Sequence, residues 1–171
     1  PLTVPGSVKD IYGGAFLNWE SCKGLTIEEG VVSIGTMLND DSSFDGMQSF
    51  TNWYKAEFLH IADSVKSTHG SFVNWFMCND LHIGSGLTTI GGTEYGESEF
   101  TNMGRDITDF DVVFPDTVTH IVNALSGSAV RSITIGNNVQ TIGKLPYSAE
   151  KFYIRSATPP AILSNNMLPG A

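Results

Sequence analysis

Positive charge is scarce in this sequence. The 171 residues include nine Lys and Arg against eighteen Asp and Glu, which gives a formal net charge of -9. A chain with this balance repels phosphate backbones, so we expect no nucleic-acid partner. No apolar run approaches the roughly 18–20 residues that a membrane-spanning helix requires, so we expect no membrane span in this chain.

The motifs that would indicate catalysis are also missing. The sequence contains no Gly-x-Ser-x-Gly, no phosphate-binding Gly-Lys-Ser/Thr, no Cys-x-x-Cys and no His-Glu-x-x-His. Ser85 lies between two glycines at the end of a predicted strand, but no His–acid pair is placed to activate it. We therefore predict that the protein is not an enzyme.

What the sequence does contain is a repeat. Six copies read apolar, any residue, apolar, three residues, apolar, two residues and then usually Ile, as in Leu25, Ile27, Val31 and Ile34. A seventh, degenerate copy follows them. Periods of this size indicate a solenoid, in which each coil buries the apolar face of its neighbour. We predict one domain over residues 1–171, with coils that begin near residues 2, 25, 59, 81, 112, 133 and 152.

Each copy also predicts its own local structure. The opening Leu-x-Ile alternates as a strand does, with one side chain inward and the next outward. Strands from successive coils should then stack in parallel into one sheet. We expect the return legs to be irregular or to form one helical turn, which makes the predicted fold β-rich with a small α component.

A second motif marks the return leg and carries most of the aromatic side chains. Its fixed register predicts that Trp19, Trp53 and Trp75 form a packed structural column, which we favour over a carbohydrate-stacking ladder. The aligned Asn residues are interpreted as side chains that satisfy backbone groups of the turn. The four versions of the motif are Phe16-Leu17-Asn18-Trp19, Phe50-Thr51-Asn52-Trp53, Phe72-Val73-Asn74-Trp75 and Phe100-Thr101-Asn102-Met103.

The two cysteines occupy equivalent repeat positions. Cys22 and Cys78 each stand three residues before a strand Leu, two coils apart. That separation is about 10 Å at the usual strand spacing, whereas a disulfide needs Cα atoms within about 7 Å. We therefore predict two free, buried thiols.

Two polar insertions, at 36–49 and 92–99, are predicted to leave the solenoid as loops, where binding function tends to lie. The first contains Asp41, Ser43 and Asp45 at alternate positions, which resembles the start of a calcium loop. Its twelfth position is Asn52 rather than Glu. We favour a solvated turn and keep calcium as the alternative, so the predicted cofactor is none or a divalent cation.

The outward strand positions form columns across neighbouring coils. His60, His82, Asp80 and Asp111 should lie close together and are a plausible ligand set for a divalent ion such as zinc. The alternative to an ion site is that these residues belong to the polar outer face that open sheets normally have. Aromatic side chains among polar ones are also typical of a partner-binding surface. The candidate ligand-binding residues are Phe58, His60, Asp80, His82, Asp111, Val113 and Tyr153.

Further short motifs surround the repeat. Residues 4–8 and 114–118 both read apolar-Pro-x-Ser/Thr-Val, residues 15–18 read Ala-Phe-Leu-Asn ahead of Cys22, and residues 157–160 read Ala-Thr-Pro-Pro. Together with Leu-x-Ile-x-x-x-Val-x-x-Ile-Gly, these motifs resemble the BspA-like leucine-rich repeats over residues 2 to about 162. The chain departs from that pattern by about three extra residues between Asn and Cys, and by a Trp after the Asn.

The resemblance implies a right-handed, leucine-rich-repeat-like solenoid from a secreted or surface-exposed bacterial protein. Such proteins are non-catalytic and are thought to bind proteins of a host or a neighbouring cell. We therefore expect an extracellular or cell-surface adhesion module, monomeric, with a protein or glycan ligand. The alternative is a structural repeat segment of a longer surface or fibre protein. We also expect sequence upstream of Pro1, including the export signal, and the chain to continue past Ala171.

Overall fold

Short parallel strands form the walls of a solenoid of about seven coils. The computed structural model describes residues 1–36, 48–92, 98–146 and 148–163. The strands are β1 (Leu2–Val4), β2 (Asp10–Tyr12), β3 (Gly24–Ile27), β4 (Ser33–Thr36), β5 (Phe50–Thr51), β6 (Phe58–Ile61), β7 (Phe72–Val73), β8 (Asp80–His82), β9 (Thr89–Ile90), β10 (Asp111–Val113), β11 (His120–Asn123), β12 (Ser132–Ile135), β13 (Thr141–Lys144), β14 (Lys151–Ile154) and β15 (Ala161–Ile162).

The Leu-x-Ile stretches form the first wall, here called the strand wall. Its sheets are β1-β3-β6-β8 and β10-β12-β14. The register confirms the repeat, because Leu2, Leu25, Leu59 and Leu81 pair in one lateral row. The row in the second sheet is Val112, Ile133 and Phe152.

Two further walls close each coil. The second wall contains β2-β4 and β9-β11-β13-β15, formed by the residues around the last Ile of each repeat copy. The third wall contains β5-β7, and isolated parallel bridges extend it from Val73 to Thr101 and from Glu99 to Ala124. Each repeat copy has two separate groups of apolar residues because one group lies on the strand wall and the other on the second wall.

The core runs along the solenoid axis. Alternate strand residues point inward, so Leu25, Ile27, Leu59 and Ile61 are almost completely buried. The following Val31 and Ile34 are buried on the second wall. In the first coil, Ile11 is likewise buried, whereas Val8, the counterpart of Val31, is 37% exposed.

One expectation about the walls is wrong. The strand wall is two sheets rather than one, because in the described chain β8 and β10 are not joined by a ladder. The return legs were expected to be irregular or to form one helical turn, and the described residues contain no helix. The legs are irregular apart from short strands, in which Phe50 and Thr51 pair with Phe72 and Val73 of the next coil.

The cysteine prediction is confirmed, as Cys22 and Cys78 are free and buried. Burial raises the pKa of the Cys78 thiol to about 12. Across the described ranges, the structure has no helix long and apolar enough to span a bilayer.

Candidate functional site

The N-terminal half of the strand wall brings four of the predicted residues into one cluster. The ladder between β6 and β8 aligns His60 with His82 and Phe58 with Asp80. The ring centroids of Phe58 and His60 are 5.2 Å apart, and those of His60 and His82 are 6.3 Å apart in an edge-to-face arrangement. Three rings therefore form a continuous aromatic patch on the outside of the solenoid, of the kind that packs against a partner.

Asp80 completes this cluster from the neighbouring strand. Its Oδ2 lies 2.8 Å from His60 Nε2, and 41% of the His60 side chain and 62% of the Asp80 side chain are exposed. The contact orients the imidazole and leaves the other faces of both groups open. Such a patch offers a partner hydrogen-bond donors and acceptors beside apolar ring surface.

Phe58 packs against the neighbouring strand as well as presenting an exposed edge. Its ring lies over Gly24 of the preceding strand, where a Cβ atom would overlap the ring atoms. The aromatic side chain thus covers the backbone that glycine leaves bare on a sheet face. Phe58 and His60 are both half-buried, so the exposed His82 contributes most to the accessible ring surface of the patch.

Asp111 is engaged elsewhere on the wall. Its carboxylate accepts hydrogen bonds from Arg131 through both oxygens and from Ser132 Oγ at 2.7 Å. The hydrogen bonds from Arg131 and Ser132 lower the pKa of Asp111 to about 2. This pair links β10 to β12 across neighbouring coils.

The structure does not gather the predicted divalent-ion ligands into one site. Asp80 contacts His60, whereas Asp111 contacts Arg131 in the second sheet. Among the residues described, no group of three or more His, Cys, Asp or Glu side chains is arranged to hold a metal ion. The calcium alternative, Asp41, Ser43 and Asp45, lies outside the described residues, as do most of the two predicted loops.

The C-terminal half of the strand wall is more apolar. Val113 aligns with Thr134 and Tyr153 in one outward column. Val113 is 46% exposed and Tyr153 is 52% exposed. Because the wall is interrupted between β8 and β10, the predicted surface consists of a histidine patch (Phe58, His60, Asp80, His82) and a separate tyrosine patch (Val113, Thr134, Tyr153).

The wall is backed by stacked aromatic rings that run along the solenoid. Phe50 and Phe72 stack at 5.6 Å between centroids, and Trp53 and Trp75 stack at 5.1 Å. The indoles of Trp53 and Trp75 are fully buried, which confirms the structural column for these two. Trp19, at the open end, is 43% exposed.

The asparagines differ from the prediction. Instead of satisfying turn backbone, their side chains bond to one another: Asn52 Nδ2 donates to Asn18 Oδ1 at 2.6 Å, and Asn74 Nδ2 donates to Asn52 Oδ1 at 2.6 Å. Asn102 continues this asparagine ladder. All four residues have φ near +60°, a region that Asn tolerates better than most residues.

Sequence reasoning missed a second set of contacts between coils, made by turn carboxylates. Glu29 accepts hydrogen bonds from the backbone N–H groups of Asp63 and Ser64, and Asp63 accepts one from Ser85. The hydrogen bonds from Ser85 lower the pKa of Asp63. The sequence did contain a signal for these contacts, because an acidic residue in the turn after one strand faces the corresponding turn of the next coil.

Comparisons of the chain with protein-family models, curated proteins and solved structures found no match.

Proposed function

We propose that this protein is a non-catalytic binding module that presents its strand wall to a protein or glycan ligand. The observation that carries the proposal is the histidine patch, in which His60 and His82 stand in register beside Phe58 and share one exposed surface. Aromatic rings with polar edges are common in the central part of protein interfaces.

The rigidity of the scaffold supports the same proposal. Stacked Phe rings, stacked indoles and paired asparagine amides hold each coil against the next behind the wall. A surface whose backbone is fixed in advance loses little conformational freedom when a ligand binds. The exposed Tyr153 and Val113 offer a separate patch on the second sheet.

We also propose that the solenoid is right-handed and of the BspA-like leucine-rich-repeat type, and that the protein acts outside the cell or at the cell surface in adhesion to a host or neighbouring cell. Six repeat copies in phase support this assignment. The two free, buried thiols do not bear on the compartment, since neither faces solvent.

A binding experiment tests the proposal. Fluorescently labelled protein is applied to intact epithelial cells and to a glycan array, with His82→Ala and Tyr153→Ala variants beside the wild type. Val32→Ala is the matched control, because Val32 is 42% exposed and lies off the strand wall. We expect each wall variant to weaken binding by about tenfold or more, as truncation of an interface hot spot does, with no change for Val32→Ala.

The two predicted loops supply a second arm of the same experiment. Deletion of residues 37–47 within the first predicted loop, which keeps Thr36 of β4 and the buried Ser49, should weaken ligand binding while the melting temperature stays near that of the wild type. If cells and glycans are not bound by the wild-type protein, or if binding survives both wall substitutions and the loop deletion, the proposed function is wrong.

A further inference from the structure

The strand wall has an acidic residue at the same repeat position in both of its sheets. Asp80 and Asp111 each stand directly before the residue that opens the repeat copy, Leu81 and Val112. Asp111 is bound within the chain, because Arg131 donates from Nε to Oδ1 at 3.0 Å and from Nη2 to Oδ2. Such a two-pronged contact is the geometry in which a guanidinium recognises a carboxylate. The structure therefore shows which cation an acidic side chain at this position binds.

Asp80 lacks this partner. Arg131 lies directly before the strand residue that pairs with Asp111. In the coil after Asp80 the same place is taken by Phe110, which is fully buried. Among the ion pairs of the described residues, Asp80 contacts His60 through Oδ2, and no Lys or Arg reaches it. With 62% of its side chain exposed, Asp80 is accessible to a guanidinium from another molecule.

The charge around Asp80 favours a cationic ligand. The chain carries a formal net charge of -9, so a partner with acidic groups is repelled and a basic one is attracted. Lys23, which lies beside the same sheet, is already paired with Glu57 at 3.2 Å. It therefore does not neutralise Asp80.

The rings of the histidine patch complement a guanidinium at the same place. Their centroids are 5.2 and 6.3 Å apart, so they form one continuous surface beside Asp80. Arginine is the cation found most often over aromatic faces. This chain contains such a contact, because the guanidinium carbon of Arg105 lies 3.5 Å from the centre of the Phe76 ring. A carboxylate next to ring faces suits a flat, forked guanidinium better than a compact ammonium group.

The interruption of the strand wall makes this region accessible. In the described chain β8 and β10 are not joined by a ladder. Leu81 of β8 is half-buried, whereas Leu25 and Leu59 of the same row are completely buried. The wall is therefore open to solvent along the strand that carries Asp80. Because β8 and β10 belong to inner coils, with β6 and β12 beyond them, this opening does not depend on either end of the chain.

We propose that the histidine patch binds an arginine side chain of a protein ligand, and that Asp80 holds its guanidinium. The inference rests on the proposed function and narrows the protein or glycan ligand to a protein with an exposed arginine. Asp80 takes the guanidinium as Asp111 takes Arg131, and the ring surface of His82 packs beside it. The surrounding interface excludes water from this contact and so strengthens it.

The test is an NMR titration of the isotope-labelled chain with capped tetra-arginine, tetra-lysine and tetraglutamate peptides, up to about 10 mM peptide. We expect tetra-arginine to shift the amide signals of Asp80 and His82, tetra-lysine to bind more weakly and tetraglutamate not to bind. Asp80→Asn should weaken tetra-arginine binding by about tenfold or more. Asp10→Asn is the matched control, because it removes the same charge from an exposed residue of β2 on the second wall.

Several results would overturn the inference. Equal affinities for tetra-arginine and tetra-lysine, or equal weakening by Asp80→Asn and Asp10→Asn, would indicate general attraction to an acidic chain. Absence of tetra-arginine binding, or signal shifts confined to another surface, would remove the site. Circular dichroism checks that each variant folds, and Asp80→Ser replaces Asp80→Asn if the latter does not.

The cell and glycan experiment separates this inference from the proposed function. Asp80→Asn should reduce cell binding as His82→Ala does. If cells or glycans bind the wild type and Asp80→Asn equally, the proposed function stands and the arginine site is wrong. If tetra-arginine binds at Asp80 while neither cells nor glycans bind the wild type, the arginine site stands and the adhesion function is wrong.

Discussion

The asparagine ladder makes a quantitative prediction, because its members differ in how many neighbours they have. Asn74 lies inside the ladder and has two side-chain hydrogen bonds, to Asn52 at 2.6 Å and from Asn102 at 2.8 Å. Asn18 ends the ladder and has one, from Asn52. Replacing each by glycine removes the amide and keeps a residue that accepts positive φ, as Gly127 does at φ 69° in a later coil.

The expected magnitudes follow from this count. An intramolecular hydrogen bond of this type contributes about 1 kcal/mol to the free energy of unfolding. The added flexibility of glycine in the unfolded chain costs about 0.5–1 kcal/mol and is the same for both variants. Asn74→Gly should therefore lower the free energy of unfolding by about 2.5–3 kcal/mol, and Asn18→Gly by about 1.5–2 kcal/mol.

Urea unfolding followed by circular dichroism measures both values. The difference of about 1 kcal/mol between the two variants isolates one amide–amide hydrogen bond, because the glycine contribution cancels. Asn74→Ala should cost as much as Asn74→Gly or more, since a Cβ at φ 63° is strained. If Asn18→Gly is as destabilising as Asn74→Gly, the amides do not act as a ladder and the reasoning is wrong.

Three further predictions concern charge, burial and packing. The pKa of Asp111 is lowered from 3.8 to about 2, so its contribution to stability is complete above pH 3.8 and is lost as the pH falls toward 2. Asp111→Asn should therefore make the free energy of unfolding less dependent on pH in that range. An unchanged acid transition would contradict the role of Arg131. Because the Cys78 thiol is buried with a pKa of about 12, a thiol reagent at pH 8 should react with it only after denaturation, and rapid labelling of the native chain would argue against this burial. Gly24→Ala should cost on the order of 1 kcal/mol in the wild type and less in a Phe58→Ala background, and additive costs in that double-mutant cycle would mean that the ring does not cover Gly24.

The register of the strand wall could be predicted from the sequence because it depends only on the spacing of apolar residues. A strand alternates with period two, so the place of Leu25 within its repeat also fixes the side on which Thr26 lies. Stacking then aligns equal places in successive coils. The pairing of Leu25 with Leu59, and of Thr26 with His60, follows from these two rules.

The asparagine ladder could not be predicted in this way. An Asn side chain in a turn can bond to nearby backbone or to another amide, and the residue type is the same in both cases. The choice depends on the separation of neighbouring coils, about 4.8 Å in a parallel sheet, which brings successive amides within hydrogen-bond distance. Asn52 and Asn74 meet under this condition although 22 residues separate them.

The turn carboxylates were missed for a different reason. Glu29 reaches the backbone of Asp63 across 34 residues, whereas Asp63 reaches Ser85 across 22. The insertion within the second coil changes the sequence separation while the distance in space stays the same. A search for residues at a fixed sequence spacing therefore cannot find the pattern, although each carboxylate lies in the turn that follows a strand of the strand wall.

The interruption of the strand wall also arises where a coil is longer than the others, and it matters for function. The fourth coil is 31 residues long, and its return leg adds a turn whose backbone N–H groups at Gly104 and Asp106 bond to the carbonyls of Trp75 and Phe76. These bonds fix the extra turn against the third coil, and the next strand begins a new sheet at Asp111. The columns predicted from spacing hold within each sheet but not across this junction. Because the patches lie on separate sheets, a ligand that contacts both must bridge the junction, whereas a smaller ligand can occupy the histidine patch alone.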